Sequence, residues 1–136
     1  FNRAFGPLDV KTWDEQLMTC TGQGAKLVIW QGLPWESVQE EIVASDVVFD
    51  QITDFGIYGY TSVEAMANGR PTLATIDHSL YTSSCPVIYP MVTSLLVLAR
   101  DETLRKQWGK MGRAYVEDVH ESLVVAQKVL DAYNGS

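Results

Sequence analysis

Tyr58-Gly59-Tyr60-Thr61-Ser62-Val63-Glu64-Ala65-Met66-Ala67-Asn68-Gly69-Arg70-Pro71 is the stretch on which the fold turns. The strand-like run Asp46-Val47-Val48-Phe49-Asp50 precedes it, and Thr72-Leu73-Ala74-Thr75-Ile76 follows. The implied order is strand, glycine-containing loop, short helix, strand. Thr61 and Glu64 stand at capping-box spacing, which predicts a helix beginning near Ser62; Gly69 and Pro71 stop it. A loop opening onto a helix start offers unpaired N–H groups and the positive end of a helix dipole, which suits a phosphate.

Outward from this stretch the pattern alternates. Thr12 and Glu15 repeat the capping-box spacing, with Trp13 and Leu17 four apart, so a helix is expected over 12–21 before Gly22 and Gly24. Lys26 to Trp30 reads as a short strand. Pro34 opens a helix whose Trp35, Val38 and Ile42 recur at helical spacing up to Ala44. Thr72–Ile76 and Pro86–Tyr89 are strand-like, with a loop over 77–85. From Pro90 onward the periodicity is helical: Val92, Leu95, Leu96 and Ala99 form one face, Leu104, Trp108 and Met111 another, and Leu123, Ala126, Leu130 and Tyr133 the last. Asp101 and Glu102 suit a helix N-terminus. Alternating strands and helices predict a doubly wound parallel α/β sheet, Rossmann-like, in a single domain over 1–136 with a helical C-terminal tail.

The chain has 136 residues, enough for one domain with a real core. Hydrophobic residues make up 46% and charged residues 20%, an ordinary globular balance. A net charge of −7 with scattered lysines and arginines argues against nucleic acid and against a polybasic membrane anchor. No apolar run has the length of a transmembrane segment. Cys20 and Cys85 lie far apart, as expected of two reduced thiols in a cytoplasmic protein. His78 and His120 are isolated from each other and from both cysteines, so no metal-ligand spacing is present. Neither Gly-x-Ser-x-Gly nor a P-loop occurs.

The stretch over 58–71 resembles the nucleotide-sugar signature of family 4 glycosyltransferases, two-domain enzymes of the GT-B fold. Glu64-Ala65-Met66-Ala67, Gly69, Arg70 and Pro71 match in place, and Tyr58-Gly59 stands for Phe-Gly. Gly56 occupies the position of the first signature glutamate, as in a branch of these enzymes that lacks it. The likeness extends loosely over 11–133. It implies a C-terminal, donor-binding domain of a retaining transferase (hexosyltransferase-like) that uses a nucleoside diphosphate sugar without a metal or other cofactor. The opening Phe1, and room for only one of two domains, go with an N-terminal acceptor domain that is missing here. The expected partners are the sugar nucleotide and that domain or a second copy, and the isolated chain is expected not to transfer sugar. The alternative is a non-enzymatic relative that binds nucleotide or serves as an interaction module.

The expected nucleotide-sugar-binding residues are Glu64, Gly59, Tyr58, Tyr60, Thr61, Gly56 and Lys11; the catalytic residues are not identified. Resemblance gives Glu64 the ribose hydroxyls, since a carboxylate offers two acceptors to a diol. Its other role is to complete the capping box with Thr61. Gly56 and Gly59 either admit a phosphate or serve as turn glycines. Backbone N–H groups at Tyr60 and Thr61 would meet the diphosphate. The resemblance implies a cation at Lys11, with Arg3 behind it. Arg70 is read as a dipole or surface group, and Asp50 with Asp54 as an acid/base pair of low specificity.

Overall fold

The computed structural model describes residues 25–51, 55–81 and 85–135. The expected helix over 12–21, Lys11, Arg3, Cys20 and Asp54 lie outside these. The elements in order are α1 (Trp35–Ala44), β1 (Val48–Phe49), α2 (Tyr60–Ala67), β2 (Thr72–Leu73), α3 (Val92–Arg100), α4 (Glu102–Val119) and α5 (Ser122–Tyr133). A single 3₁₀ turn spans His78–Leu80.

The expected doubly wound parallel sheet is not what these residues form. β1 and β2 pair in parallel, Val48 opposite Thr72 and Phe49 opposite Leu73, and each is two residues long. Beyond β2 a lone parallel bridge joins Leu73 to Ile88. The described chain is therefore mostly helical around a small parallel core. The apolar runs mark where the strands fall but not how far a ladder extends, because pairing needs a partner at every second backbone group. Pro71, Leu73 and Thr75 bond to Val48, Asp50 and Gln51, Thr72 and Ala74 bond to Ile88, and the pairing ends there among the described residues. Lys26 to Trp30, expected as a strand, pairs with nothing among the described residues and leaves Leu27, Val28 and Ile29 exposed.

The helices fare better. α1 begins after Pro34 as expected, and Asp101 caps α4 by accepting the Leu104 N–H at 2.8 Å. Within α4 the inward face differs from the expected one. Gly109, Gly112 and Tyr115 are buried, whereas Met111 is half exposed. α5 buries none of its side chains, so its apolar periodicity faces solvent among the described residues.

α2 is the element against which α1, α4, β1 and β2 all pack. Its Ala65 and Met66 face different clusters. Ala65 joins Ile42 and Val48, while Met66 joins Ala74, Ile76, Val87 and Tyr115. The close approach of α4 rests on two glycines. A Cβ at Gly109 would overlap the Gly69 carbonyl oxygen, and one at Gly112 would lie 3.0 Å from Met66 Cγ.

Three arginines close helix C-termini on neighbouring segments. Arg70 Nη2 donates to Val43 O at the end of α1 (2.5 Å), and Arg113 Nη1 to Ala67 O at the end of α2 (2.5 Å). Arg105 Nη1 donates to Leu98 O and Ala99 O at the end of α3. Cationic donors at carbonyl ends satisfy orphan acceptors and complement the dipole. Arg70 thus has the dipole role expected of it, on a neighbouring helix.

Gly109→Ala will test this packing. Alanine gains about 1 kcal/mol of helix propensity, but its methyl meets a carbonyl that cannot rotate away. We expect a net loss of about 1–3 kcal/mol in urea unfolding. Gly112→Ala should cost less, because a Cβ there meets Met66 at 3.0 Å or more and needs a shift of only a few tenths of an ångström. Equal or stabilising effects would contradict the close contact.

Candidate functional site

The loop from Phe55 to Gly59 is held at several points. Gly56 has φ +66°, and its carbonyl accepts the Asp77 N–H at 2.8 Å. A Cβ there would lie 2.9 Å from Asp77 Cβ, so glycine is required by conformation and by contact. Gln51 Nε2 donates to Ile57 O at 2.6 Å. The Asp50 carboxylate then takes the end of the loop: Oδ2 accepts from Gly59 N–H (2.7 Å) and from Ser62 Oγ (2.6 Å). A side chain at Gly59 would press on that carboxylate, 3.1 Å away.

This moves the helix start. α2 begins at Tyr60 with Gly59 as its N-cap, two residues before the expected position. The expected box between Thr61 and Glu64 does not form, because Asp50 does the capping and Glu64 falls beyond the first turn. Glu64 Oε1 instead accepts the Trp35 indole N–H at 2.7 Å. Two further links lie along the same seam. Asn68 Nδ2 donates to Gln39 Oε1 at 3.3 Å, and Arg70 reaches Val43 O. The spacing of Trp35, Gln39 and Val43 is one helical face, as is that of Glu64 and Asn68.

Of the expected site residues, Gly59, Tyr60 and Thr61 come together at the helix start, with Glu64 one turn on. Tyr60 is exposed, Thr61 and Glu64 half buried, and no described residue accepts the N–H of Tyr60 or Thr61. Gly56 packs on Asp77, and Lys11 is outside the described residues. Asp50 is a structural cap, which leaves no acid/base pair with Asp54 to describe.

Tyr58 turns the other way. Its ring stacks on Tyr81 with centroids 4.8 Å apart, and its N–H donates to Tyr81 Oη. Its hydroxyl lies 3.1 Å from Tyr115 Oη and 2.8 Å from His120 Nε2. Two phenols and a neutral imidazole can fill both bonds. Burial, then the bond to Tyr115, pushes the Tyr58 hydroxyl far above the ordinary tyrosine value. Burial raises Tyr115 as well. Burial, then the Lys128 ammonium, lowers His120.

An open cleft of about 740 Å³ adjoins this cluster, lined in part by Tyr58, Tyr81, Tyr115, Val119 and His120. A smaller one of about 290 Å³ lies between α3 and α4 against Ile88, Leu98 and Trp108. His120, isolated in the sequence, joins this cluster only in the fold: Tyr115 and His120 are 57 and 62 positions from Tyr58, and no spacing announces them. No group of three His, Cys, Asp or Glu among the described residues stands ready for a metal. Among the same residues, no helix is long and apolar enough to cross a membrane. Compared with protein-family models, curated proteins and solved structures, the chain matches none.

The lowered His120 has a consequence for pH. The unfolded chain takes a proton on this residue near its ordinary value of 6.5, before the folded chain does. The unfolded state then binds more protons, so stability falls as pH drops below that value and stops falling once the folded imidazole also protonates. Asp77, Glu102 and Glu121 are lowered by their hydrogen-bond partners and act in a separate, more acidic window. Melting temperatures between pH 8 and pH 5 should decline for the wild type (about one unit either side of the ordinary histidine range). His120→Gln should flatten that decline; an unchanged slope would show that His120 is not its source.

Proposed function

We propose that this chain is the donor-binding part of a glycosyltransferase that uses a nucleoside diphosphate sugar. The observation that carries this is the helix start at Gly59–Glu64. Two adjacent N–H groups, at Tyr60 and Thr61, have no described acceptor, and a carboxylate stands one turn further on. The Glu64 carboxylate is fixed through one oxygen by Trp35, which leaves the second for a ribose diol. The Ala-Met of the signature quartet is wholly buried, so the quartet anchors the helix and presents its glutamate. Support for the family itself comes from the match over residues 58–71.

In this role the helix start would stabilise the departing diphosphate, by dipoles already oriented before the reaction. Asp50 limits the arrangement: it takes the Gly59 N–H and places a negative charge at the same helix end. The diphosphate therefore depends on Tyr60, Thr61 and a cation such as Lys11. Sugar transfer would need an acceptor held against the donor.

The second reading is a non-enzymatic interaction module. It is favoured by the exposed apolar residues of α5, among them Leu123, Val129, Leu130 and Tyr133.

NMR titration with UDP, GDP and ADP separates the two. The donor-binding role predicts shifts at Gly59–Glu64 and affinities of millimolar to high micromolar, roughly −4 to −6 kcal/mol. Glu64→Gln should weaken a nucleoside diphosphate far more than inorganic pyrophosphate. Its melting temperature should stay near that of the wild type, because the glutamine oxygen still accepts from Trp35. No shift in this loop with any of the three nucleotides would leave the interaction module standing.

A further inference from the structure

The cleft beside Tyr58 has an aromatic floor and a mouth with two opposite charges. Its volume, about 740 Å³, is in the range of small-molecule sites. The floor comes from three elements: the loop at Tyr58, the turn ending at Tyr81, and Tyr115 with Val119 on α4. The tyrosine hydroxyls of this floor are already engaged. Tyr58 Oη bonds to both Tyr115 Oη and His120 Nε2, and Tyr81 Oη accepts the Tyr58 N–H. What the tyrosines and Val119 have left to offer a ligand is ring faces, ring edges and methyl groups, which suit a flat apolar body.

The mouth differs. Asp118, near the end of α4, and Lys128 on α5 both line the cleft and are exposed. They do not pair with each other, and neither has an ion-pair partner among the described residues. On α4, Lys106 pairs with Glu102 and Arg113 with Glu117, whereas Lys110, like Lys128, has no ion pair among the described residues. On α5 the helical neighbours of Lys128 four places away are Val124 and Ala132, and Asp131, three places on, accepts from Gln127 Nε2. After burial, the Lys128 ammonium is the second cause that lowers His120, so its charge is felt at the floor. A ligand with one charge would satisfy one side of this mouth. A dipolar ligand satisfies both.

We propose that this cleft is a binding site for a small zwitterion with an aromatic ring, an aromatic α-amino acid or a close relative. Its ring lies on the tyrosine floor, its ammonium at Asp118 and its carboxylate at Lys128. The site is separate from the Gly59–Glu64 helix start and does not depend on nucleotide binding there. The two are joined by the peptide bond between Tyr58 and Gly59 and by the packing of Met66 with Tyr115.

The test is an NMR titration of the whole chain with L-phenylalanine and L-tryptophan. Three partial probes are run beside them: 3-phenylpropionate (ring and acid), phenethylamine (ring and amine) and glycine (both charges, no ring). Expected are shifts at Tyr81, Val119, His120 and Val124 with the aromatic amino acids, and affinity about tenfold or more above each partial probe. Lys128→Ala should reduce L-phenylalanine to the level of phenethylamine, and Asp118→Asn to that of 3-phenylpropionate. Both residues are exposed, so both variants should fold as the wild type does. Equal binding of phenylalanine and either singly charged probe would overturn the proposal. So would shifts confined to residues outside the cleft, or no shift with either amino acid.

Discussion

The packing of α4 on α2 depends on one backbone-to-backbone approach, where α4 passes the end of α2 at Gly109 and Gly69. No side chain separates the two segments there. Dispersion and packing reward such closeness only when the surfaces match, since a gap of a fraction of an ångström forfeits much of the attraction. The approach brings Met66 under Gly112 and Tyr115 into the same cluster. It also sets Arg113 within reach of the last carbonyls of α2. The same geometry carries Tyr115 and His120 to Tyr58, so the aromatic cluster is a consequence of the glycine contact as much as of its own hydrogen bonds.

At the other end of α2 the governing group is a carboxylate. Asp50 leaves the edge of β1 and accepts from both the N-cap backbone and a wholly buried serine hydroxyl. A charge at this place is stabilised by the helix dipole and by two charge-assisted hydrogen bonds. It also means that the positive end of the helix is already partly answered from within the chain. An incoming anion would work with the N–H groups that remain and with charge supplied from elsewhere.

The loop between these two ends has two sides. Gly59 and Tyr60 face the helix start, and Tyr58 faces an aromatic cluster and a cleft. Neighbouring residues in an extended segment point to opposite sides, so one short loop connects two surfaces of different chemistry. The helix start offers amides and a carboxylate to a phosphorylated diol. The cleft offers rings and two separated charges. Neither site has the histidine, cysteine and carboxylate grouping of a metal centre among the described residues.

Much of this could be read before any coordinates. Helical periodicity located α1 and the three C-terminal helices. Asp101 and Glu102 marked a helix N-terminus, and the loop-helix-strand order around Glu64 was correct in outline. These features are local: each depends on residues within one or two turns of one another. Other features were settled by contacts across the chain. The sheet stayed two residues deep because pairing requires a partner along the whole run, and apolar composition cannot supply one. Asp50, 12 positions before Ser62, displaced the expected capping box. Trp35, 29 positions before Glu64, took the carboxylate that the box would have used. Tyr58, Tyr115 and His120 share no motif, and only the packing of α4 on α2 brings them together. Sequence by itself determined where the helices lie and which of their residues are apolar. Tertiary structure decided which faces are buried and which polar groups meet, because those depend on distances between segments that no local periodicity encodes.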